Sequence, residues 1–298
     1  MKNIALLLLF IALFAIGLNA QEEQKKPKLD IAKLKKVPEK ELDPEKEPEK
    51  KPEKELLPAN AVKRSEARNE TEVSVDYTRQ WLTNGRGTWD EARIGVVHKF
   101  TKRQVLFGFY SETKRFGLRD RTGTLGIYQP LSKKWTLVAE AAASPTHKVL
   151  PKWSAMVQIE RSLGNGWIAH AGFRRIQNNT AKVNITKLGF EKYWGHNRLA
   201  GSTSVINLEN TGTSGSARVH YSRYYGNGLS SIGIGIAAGR EVENIGPNTV
   251  LQSDIYNISV NGKHAFSRRW ALGYGYTHHR QGAVYTRRGV TVGLRYKF

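Results

Sequence analysis

Histidine, serine and carboxylate side chains are the residues of this chain that could perform nucleophilic or acid–base chemistry. A hydrolase needs a nucleophile, a base and an orienting group within hydrogen-bond reach. The candidates are an adjacent pair, His278 and His279, a loop residue, His147, and two residues of alternating segments, His170 and His220. Neighbouring residues of a strand point to opposite faces, so the adjacent pair does not favour one shared metal. No spacing singles out a nucleophile, a metal cluster or a phosphate loop. We therefore predict that the protein is not an enzyme and has no catalytic residue and no cofactor.

A second kind of chemistry is electrostatic. The chain has 47 Lys and Arg against 26 Asp and Glu, and residues 61–298 hold 35 of the former and 15 of the latter. On the polar faces of alternating segments, basic residues outnumber the acids identified there, Asp76, Glu140 and Glu160. We predict that six basic residues line an interior: Arg93, Lys99, Arg174, Arg218, Arg295 and Lys297. Fixed positive charge around an aqueous lumen would concentrate anions and repel cations.

Strands must position these residues, and the last nine residues give the clearest strand. One face carries Val290, Val292, Leu294, Tyr296 and Phe298, and the other carries Thr291, Gly293, Arg295 and Lys297. An apolar face toward lipid and a polar face toward water are typical of a transmembrane β-barrel strand. The closing aromatics, Tyr296 and Phe298, resemble the signal that the barrel-assembly machinery reads. The last strand of a soluble sandwich is the alternative for this stretch.

The same alternation recurs along residues 69–298, and in one segment Val105, Phe107 and Phe109 alternate with Gly108 and Tyr110. Six tight turns alternate with seven looser links at 83–88, 113–118, 144–152, 177–180, 210–214, 240–250 and 281–287. This indicates an all-β, antiparallel, up-and-down transmembrane barrel of 14 strands, or 12 if one weak hairpin is misassigned, with both termini periplasmic. Aromatic residues at strand ends predict a girdle at the membrane interface: Trp135, Trp153, Trp167, Tyr193, Trp194, Tyr224, Tyr225, Trp270, Tyr296 and Phe298.

Two further segments are predicted before the barrel. Lys2, the apolar run 4–18 and the small residue Ala20 indicate a secretory signal peptide over residues 1–20. The apolar run is shorter than the roughly 20 residues that a membrane-spanning helix needs. Residues 21–68 are rich in Lys, Glu and Pro and contain few apolar residues, which predicts a disordered periplasmic linker. The chain has no cysteine, which excludes disulfides and a thiol-linked lipid anchor.

The chain resembles the YaiO family of outer-membrane β-barrel proteins. The resemblance spans most of residues 70–298 and is clearest over 171–176, 188–193, 219–225 and 293–298. The Lys/Glu/Pro segment has no counterpart in that pattern. The resemblance implies a fold and an outer-membrane location, but no defined activity and no catalytic residue.

Three functions remain open at this stage. The first is a passive channel that prefers small anionic solutes or acidic saccharides. The second is a non-conducting barrel whose arginines pair with inward carboxylates or bind lipopolysaccharide or acidic glycans at the rim. The third and weakest is a lipid hydrolase built into the barrel. Export makes a nucleic-acid partner improbable despite the basic composition, so the expected partners are outer-membrane lipid, lipopolysaccharide and the assembly machinery.

Overall fold

The computed structural model describes residues 69–209, 212–246 and 249–298, with the backbone alone for 244–246. Fourteen antiparallel strands form one closed barrel in which each strand pairs with its sequence neighbours and β14 pairs with β1. The strands are β1 Glu70–Leu82, β2 Thr88–Lys99, β3 Val105–Arg115, β4 Leu118–Pro130, β5 Trp135–Ala143, β6 Trp153–Gly164, β7 Trp167–Gln177, β8 Lys182–Trp194, β9 Asn197–Leu208, β10 Gly212–Tyr225, β11 Ser230–Gly246, β12 Thr249–Ala265, β13 Trp270–Gln281 and β14 Tyr285–Lys297. The predicted all-β up-and-down barrel is confirmed, with 14 strands. The signal peptide predicted over 1–20 and the linker predicted over 21–68 lie outside the described residues.

The two ends of the barrel differ in how their strands are joined. We call the end where β1 begins and β14 ends the terminal end, and the opposite one the distal end. The six tight turns predicted from the sequence all lie at the terminal end. At the distal end, several links predicted to be loose consist mostly of strand. The link predicted at 113–118, for example, is reduced to the turn Phe116–Gly117 between β3 and β4. Among the described links, 144–152 is the longest. No helix of the described residues is long and apolar enough to span a bilayer.

The outer face of the wall carries an apolar band, as the alternation predicts. Val75, Leu125 and Val292 are each more than half exposed on the outside, whereas their neighbours Asp76 and Gly293 point inward and are buried. Outward aromatic residues mark the terminal end of this band: Trp135, Trp167, Trp194, Tyr225, Trp270 and Tyr296. Outward tyrosines and tryptophans also lie toward the distal end: Tyr77, Trp81, Tyr110, Trp153, Tyr256 and Tyr276. Amphipathic rings favour both membrane–water boundaries, so this arrangement is a double girdle.

Four aromatic residues depart from the sequence prediction because they face the lumen. Tyr193 and Tyr224, expected in the girdle, share the inward face with Arg198 and Ser231 in their strand pairs. Phe107 and Phe109, on the apolar face of their segment, also point inward. Phe107 pairs with Gly126, and a Cβ at Gly126 would overlap the Phe107 ring. The glycine therefore provides the space that lets an aromatic ring lie against the inner wall.

The distal end is narrowed by two segments that fold into it. The link 144–152 is held inside by Asp120, whose carboxylate accepts the backbone N–H groups of Lys148, Val149 and Leu150 at 2.9, 2.6 and 2.8 Å. Val149 is consequently buried. The second segment is the β11–β12 hairpin, whose strands of 17 residues each are the longest in the barrel. Its residues Val242 and Val250 pack against a buried cluster formed by Val183, Ile206 and Leu208.

A glycine permits the course of this hairpin. Gly239 has a φ of 135°, and a Cβ there would overlap the carbonyl oxygen of Gly215 and the backbone of Ser216. Only glycine adopts such a conformation without strain. Gly239 therefore joins the part of β11 that lies in the barrel wall to the part that folds into the distal end.

We expect Gly239→Ala to lower the free energy of unfolding by about 1–3 kcal/mol, the usual cost of a strained backbone position. Urea unfolding of the refolded protein in detergent, read from the gel mobility of the folded form, measures this change. Gly123→Ala is the matched control, because Gly123 has no positive φ and no atom within 4 Å of a Cβ. Equal stability of the two variants would contradict the role assigned to Gly239.

Candidate functional site

The six basic residues predicted to line an interior all face the lumen, and each one is paired with a carboxylate. Four of them gather at the seam where β1 meets β2 and β14. Glu70 accepts Lys99 Nζ at 3.0 Å and Lys297 Nζ at 3.1 Å. Its neighbour on the same face, Glu72, lies 3.6 Å from Lys263 Nζ. The strands that close the barrel are therefore joined by ion pairs as well as by their backbone ladder.

Asp76 is the most enclosed carboxylate of this seam, with 4% of its side chain exposed. Arg93 of β2 donates to one oxygen at 3.3 Å, and Arg295 of β14 donates to the other at 3.1 Å. A carboxylate held by two guanidinium groups is a strong, charge-assisted arrangement. Asp76 thus connects three adjacent strands across the point of closure.

The remaining two predicted residues lie elsewhere on the wall. Arg174 of β7 donates to Glu140 of β5 at 2.8 Å. Arg218 of β10 pairs with Glu241 of the long hairpin, which also accepts the Ser216 hydroxyl at 2.9 Å. The six residues therefore form a seam group of four and two separate pairs, and they do not converge on one point.

Sequence reasoning missed several charged residues that also face the lumen. Arg198 donates to both oxygens of Glu191 at 2.9 and 2.6 Å, and Arg287 donates to Glu243 at 2.6 Å. Arg115 stacks on the Trp89 ring, with 4.3 Å from its Cζ to the centroid, and its Nε has no hydrogen-bond partner. Arg115 and Arg287 lie in the links predicted at 113–118 and 281–287, which the structure shows to be largely strand.

The lumen is close to neutral. Of the 32 Lys and Arg within the described ranges, 11 face inward, and of the 14 Asp and Glu, 10 do so. The cations are Arg93, Lys99, Arg115, Arg174, Lys187, Arg198, Arg218, Lys263, Arg287, Arg295 and Lys297. The anions are Glu70, Glu72, Asp76, Glu91, Asp120, Glu140, Glu160, Glu191, Glu241 and Glu243. The predicted excess of positive charge inside is therefore wrong, because most of the acids also point inward to meet the bases.

The positive excess lies on the outside of the wall and in the turns, where 21 basic residues face four acids in the described part of the chain. At the terminal end, Lys102, Arg103, Lys133 and Lys134 border a cavity of about 470 Å³ that opens into the lumen beside Glu160 and Arg198. A second cavity, of about 430 Å³, lies below the segments that narrow the distal end. The charge that could attract anions is therefore placed at the mouths.

The histidines lie at separate places on the barrel wall, and one of them contacts a serine. His278 and His279 point to opposite sides of β13, as predicted, and the His279 ring contacts Gln281 at 2.8 Å. Ser222 Oγ lies 3.1 Å from His220 Nδ1, which is a nucleophile and base in contact. The Asn261 side chain is hydrogen-bonded to His220, so an amide stands where a triad would place its orienting group. No group of three metal-ligating side chains occurs among the described residues.

The sequence over residues 70–244 matches the YaiO membrane β-barrel domain. The chain belongs to this family. It is an outer-membrane β-barrel of porin-like fold, in agreement with the closed 14-stranded wall. No match is found among curated protein sequences.

Solved structures similar to this YaiO-family barrel are outer-membrane proteins. A bacterial polysaccharide outer membrane secretin has 10% sequence identity and a TM-score of 0.50, over 78% of this chain and 99% of that chain. The anion-selective porin from Comamonas acidovorans has 11% identity and a TM-score of 0.42, over 76% and 98%. Omp33 of Acinetobacter baumannii has 8% identity and a TM-score of 0.46, over 77% and 99%. At these identities the likeness concerns the fold alone.

We expect Asp76→Asn to destabilise this YaiO-family barrel by about 1–3 kcal/mol, because two guanidinium groups of the seam lose their shared anion. Asp254→Asn is the control, since its carboxylate pairs with Arg240 at 3.1 Å but is 82% exposed, and exposed pairs contribute about 0.2–1 kcal/mol. Unfolding in urea compares the two variants. A larger loss for Asp254→Asn would refute the seam as the critical ion-pair group.

Proposed function

We propose that the protein is a passive, narrow channel of the outer membrane for small solutes, with a preference for anions that arises at its mouths. One observation carries this proposal: the six basic side chains predicted to line the interior remain 21–58% exposed although they are inside the wall. Exposed charges inside a closed barrel indicate a hydrated interior rather than a packed core. A lumen filled by side chains would bury these groups.

The balanced lumen and the basic mouths have complementary effects on a passing anion. Basic residues around the openings raise the local concentration of anions. The nearly equal numbers of inward acids and bases then keep the net attraction of the lumen as a whole for an anion small. Conduction requires binding that is weak enough to release the ion, and this distribution satisfies that condition. The inward link 144–152 and the long hairpin would keep the conductance small.

The proposal includes an orientation and a route of assembly. We place the terminal end in the periplasm and the distal end outside the cell, as expected for a barrel with an even number of strands. Tyr296 and Phe298 would present the assembly signal. Their rings lie 4.8 Å apart, and the Phe298 N–H donates to Thr71 O at 2.9 Å, next to the seam.

Reversal potentials of the purified protein in planar bilayers under a KCl gradient test the channel. We expect a small conductance with chloride preferred over potassium, and a stronger preference at low salt because screening weakens beyond a Debye length of about 10 Å at 0.1 M. The triple variant Lys102→Gln, Lys133→Gln, Lys134→Gln should lose much of the preference. The control Arg161→Gln, Lys192→Gln, Arg223→Gln removes three charges from the same end but from outward positions. No current, or preference for potassium, would overturn the proposal.

Alanine at His170 or His220 distinguishes the channel from the hydrolase alternative. Both side chains face the lumen, but neither belongs to an ion pair within the described residues, so the conductance should change little. A lipid hydrolase that used either imidazole would lose its activity. Conductance and release of fatty acid from phospholipid vesicles are measured on the same preparations. Hydrolysis by the wild type that disappears in either variant would establish the enzyme instead.

Lipopolysaccharide binding at the distal rim is the second candidate, and outward arginines favour it. Arg119, Arg121 and Arg240 have 69%, 63% and 60% of their side chains exposed on the outside of the distal end. Guanidinium groups at the height of a lipid headgroup layer suit phosphate, which they can bind through two parallel hydrogen bonds. In our orientation this rim faces the leaflet that contains lipopolysaccharide.

We expect the double variant Arg119→Gln, Arg121→Gln to reduce binding of purified lipopolysaccharide several-fold, and wild-type binding to weaken as salt rises. Native gel mobility in detergent with increasing lipopolysaccharide provides the measurement. Arg161→Gln, Arg223→Gln at the terminal end is the control with the same change of charge. Equal binding by both double variants would show that the distal arginines are not the site.

A further inference from the structure

The cavity of about 430 Å³ below the distal narrowing has an apolar part and a cationic part. Its apolar lining comes from the inward link, the wall and the hairpin: Val149, Leu150, Ile176, Val183, Ile206 and Val242. Its polar lining includes four cations, two carboxylates and three hydroxyls: Arg115, Arg174, Lys187, Arg218, Glu241, Glu243, Ser202, Ser204 and Ser216. Ligand pockets of about 300–1,000 Å³ with a few placed polar groups are the usual size for small molecules.

Small residues on adjacent strands create the space. Lys187 of β8 pairs with Gly172 on one side and with Ser204 on the other. Ser204 in turn pairs with Ser216 of β10. The residues that pair with Lys187 are therefore small, and serine hydroxyls line the same cavity as its ammonium group.

Lys187 has no direct ion-pair partner among the described residues, although Glu160 and Glu191 are close enough to act on its charge. Glu241 is engaged by Arg218, and Glu243 is engaged by Arg287 at 2.6 Å. Arg174 is engaged by Glu140. No carboxylate of the described residues lies within ion-pair distance of the Lys187 ammonium nitrogen. A cation next to an apolar chamber is costly unless an anion joins it, because desolvation is then uncompensated.

We propose that this cavity binds a single-chain anionic amphiphile, with the carboxylate or phosphate head on Lys187 and the serines, and with the chain against the apolar lining. The Val183, Ile206 and Leu208 cluster supplies the apolar end, and burial of a hydrocarbon chain there is favourable. The head would complete the charge balance around Lys187. The site goes beyond the channel proposal and does not depend on it, since binding occurs at equilibrium whether or not the barrel conducts.

Equilibrium dialysis of the full-length protein in lipid nanodiscs tests the site, with empty nanodiscs subtracted. The probes are radiolabelled decanoate, decyl phosphate, decanol and decylamine. We expect saturable binding of at least one anionic probe, weaker binding of decanol and no saturable binding of decylamine. The ratio of decanoate to decyl phosphate identifies which head the site prefers. Absence of saturable binding by both anions would overturn the proposal.

Two variants assign the binding to this cavity. Lys187→Met keeps an unbranched side chain, one heavy atom shorter, and removes the charge, and it should weaken anion binding about tenfold while decanol binding stays the same. Lys192→Met is the control on the same strand, because Lys192 faces outward. Ser204→Phe should fill the chamber and weaken all apolar probes. Folding of each variant is confirmed by the gel mobility of the folded barrel, and anion binding that survives Lys187→Met in a folded protein would refute the assignment.

Discussion

Charged side chains inside a membrane barrel need ion-pair partners or water in the lumen, because the lipid outside the wall cannot solvate them. In this barrel the constraint is met by pairing across strands, and the seam depends on it most directly. Glu70 and Asp76 of β1 each accept cations from both adjacent strands. The seam joins the strands that are farthest apart in the chain, so its ion pairs reinforce the one contact that the sequential hairpins do not supply.

Pairing inside the wall also determines where the net charge is found. Because nearly every inward base is matched by an inward acid, the surplus of Lys and Arg is left to the turns and the outer rims. Composition alone could not separate a channel that attracts anions from a barrel that binds lipid phosphates. The basic residues that these two proposals use lie on different surfaces. In our proposals, attraction of anions arises at the mouths, and contact with lipid phosphates would arise at the outward distal arginines such as Arg119. The proposed lumen is hydrated, and two of its cations, Arg115 and Lys187, have no ion-pair partner among the described residues.

Much of the fold was predictable because it rests on a period of two and on turn composition. The 14 strands, the tight turns and the inward direction of residues such as Arg93 and Arg295 follow from these local signals. The partners of those residues did not follow, because an ion pair depends on register between strands. The inward course of the link 144–152 could not be predicted either, because it depends on three backbone N–H groups that donate to Asp120 of β4. Phe107 lies on the apolar face of its segment but points into the lumen, where Gly126 on the next strand leaves space for its ring. The alternation alone could not predict this direction.

The distance along the chain between the two strands of the seam has a consequence for biogenesis. The hydroxyls of Thr78 and Thr291 meet at 2.8 Å although 213 residues separate them. Until β14 pairs with it, β1 therefore has one free hydrogen-bonding edge, which invites aggregation with other chains. Carboxylates at Glu70, Glu72 and Asp76 would repel another copy of the same strand before the barrel closes. The acids that form the ion pairs of the seam would thus also disfavour pairing of β1 with a wrong partner.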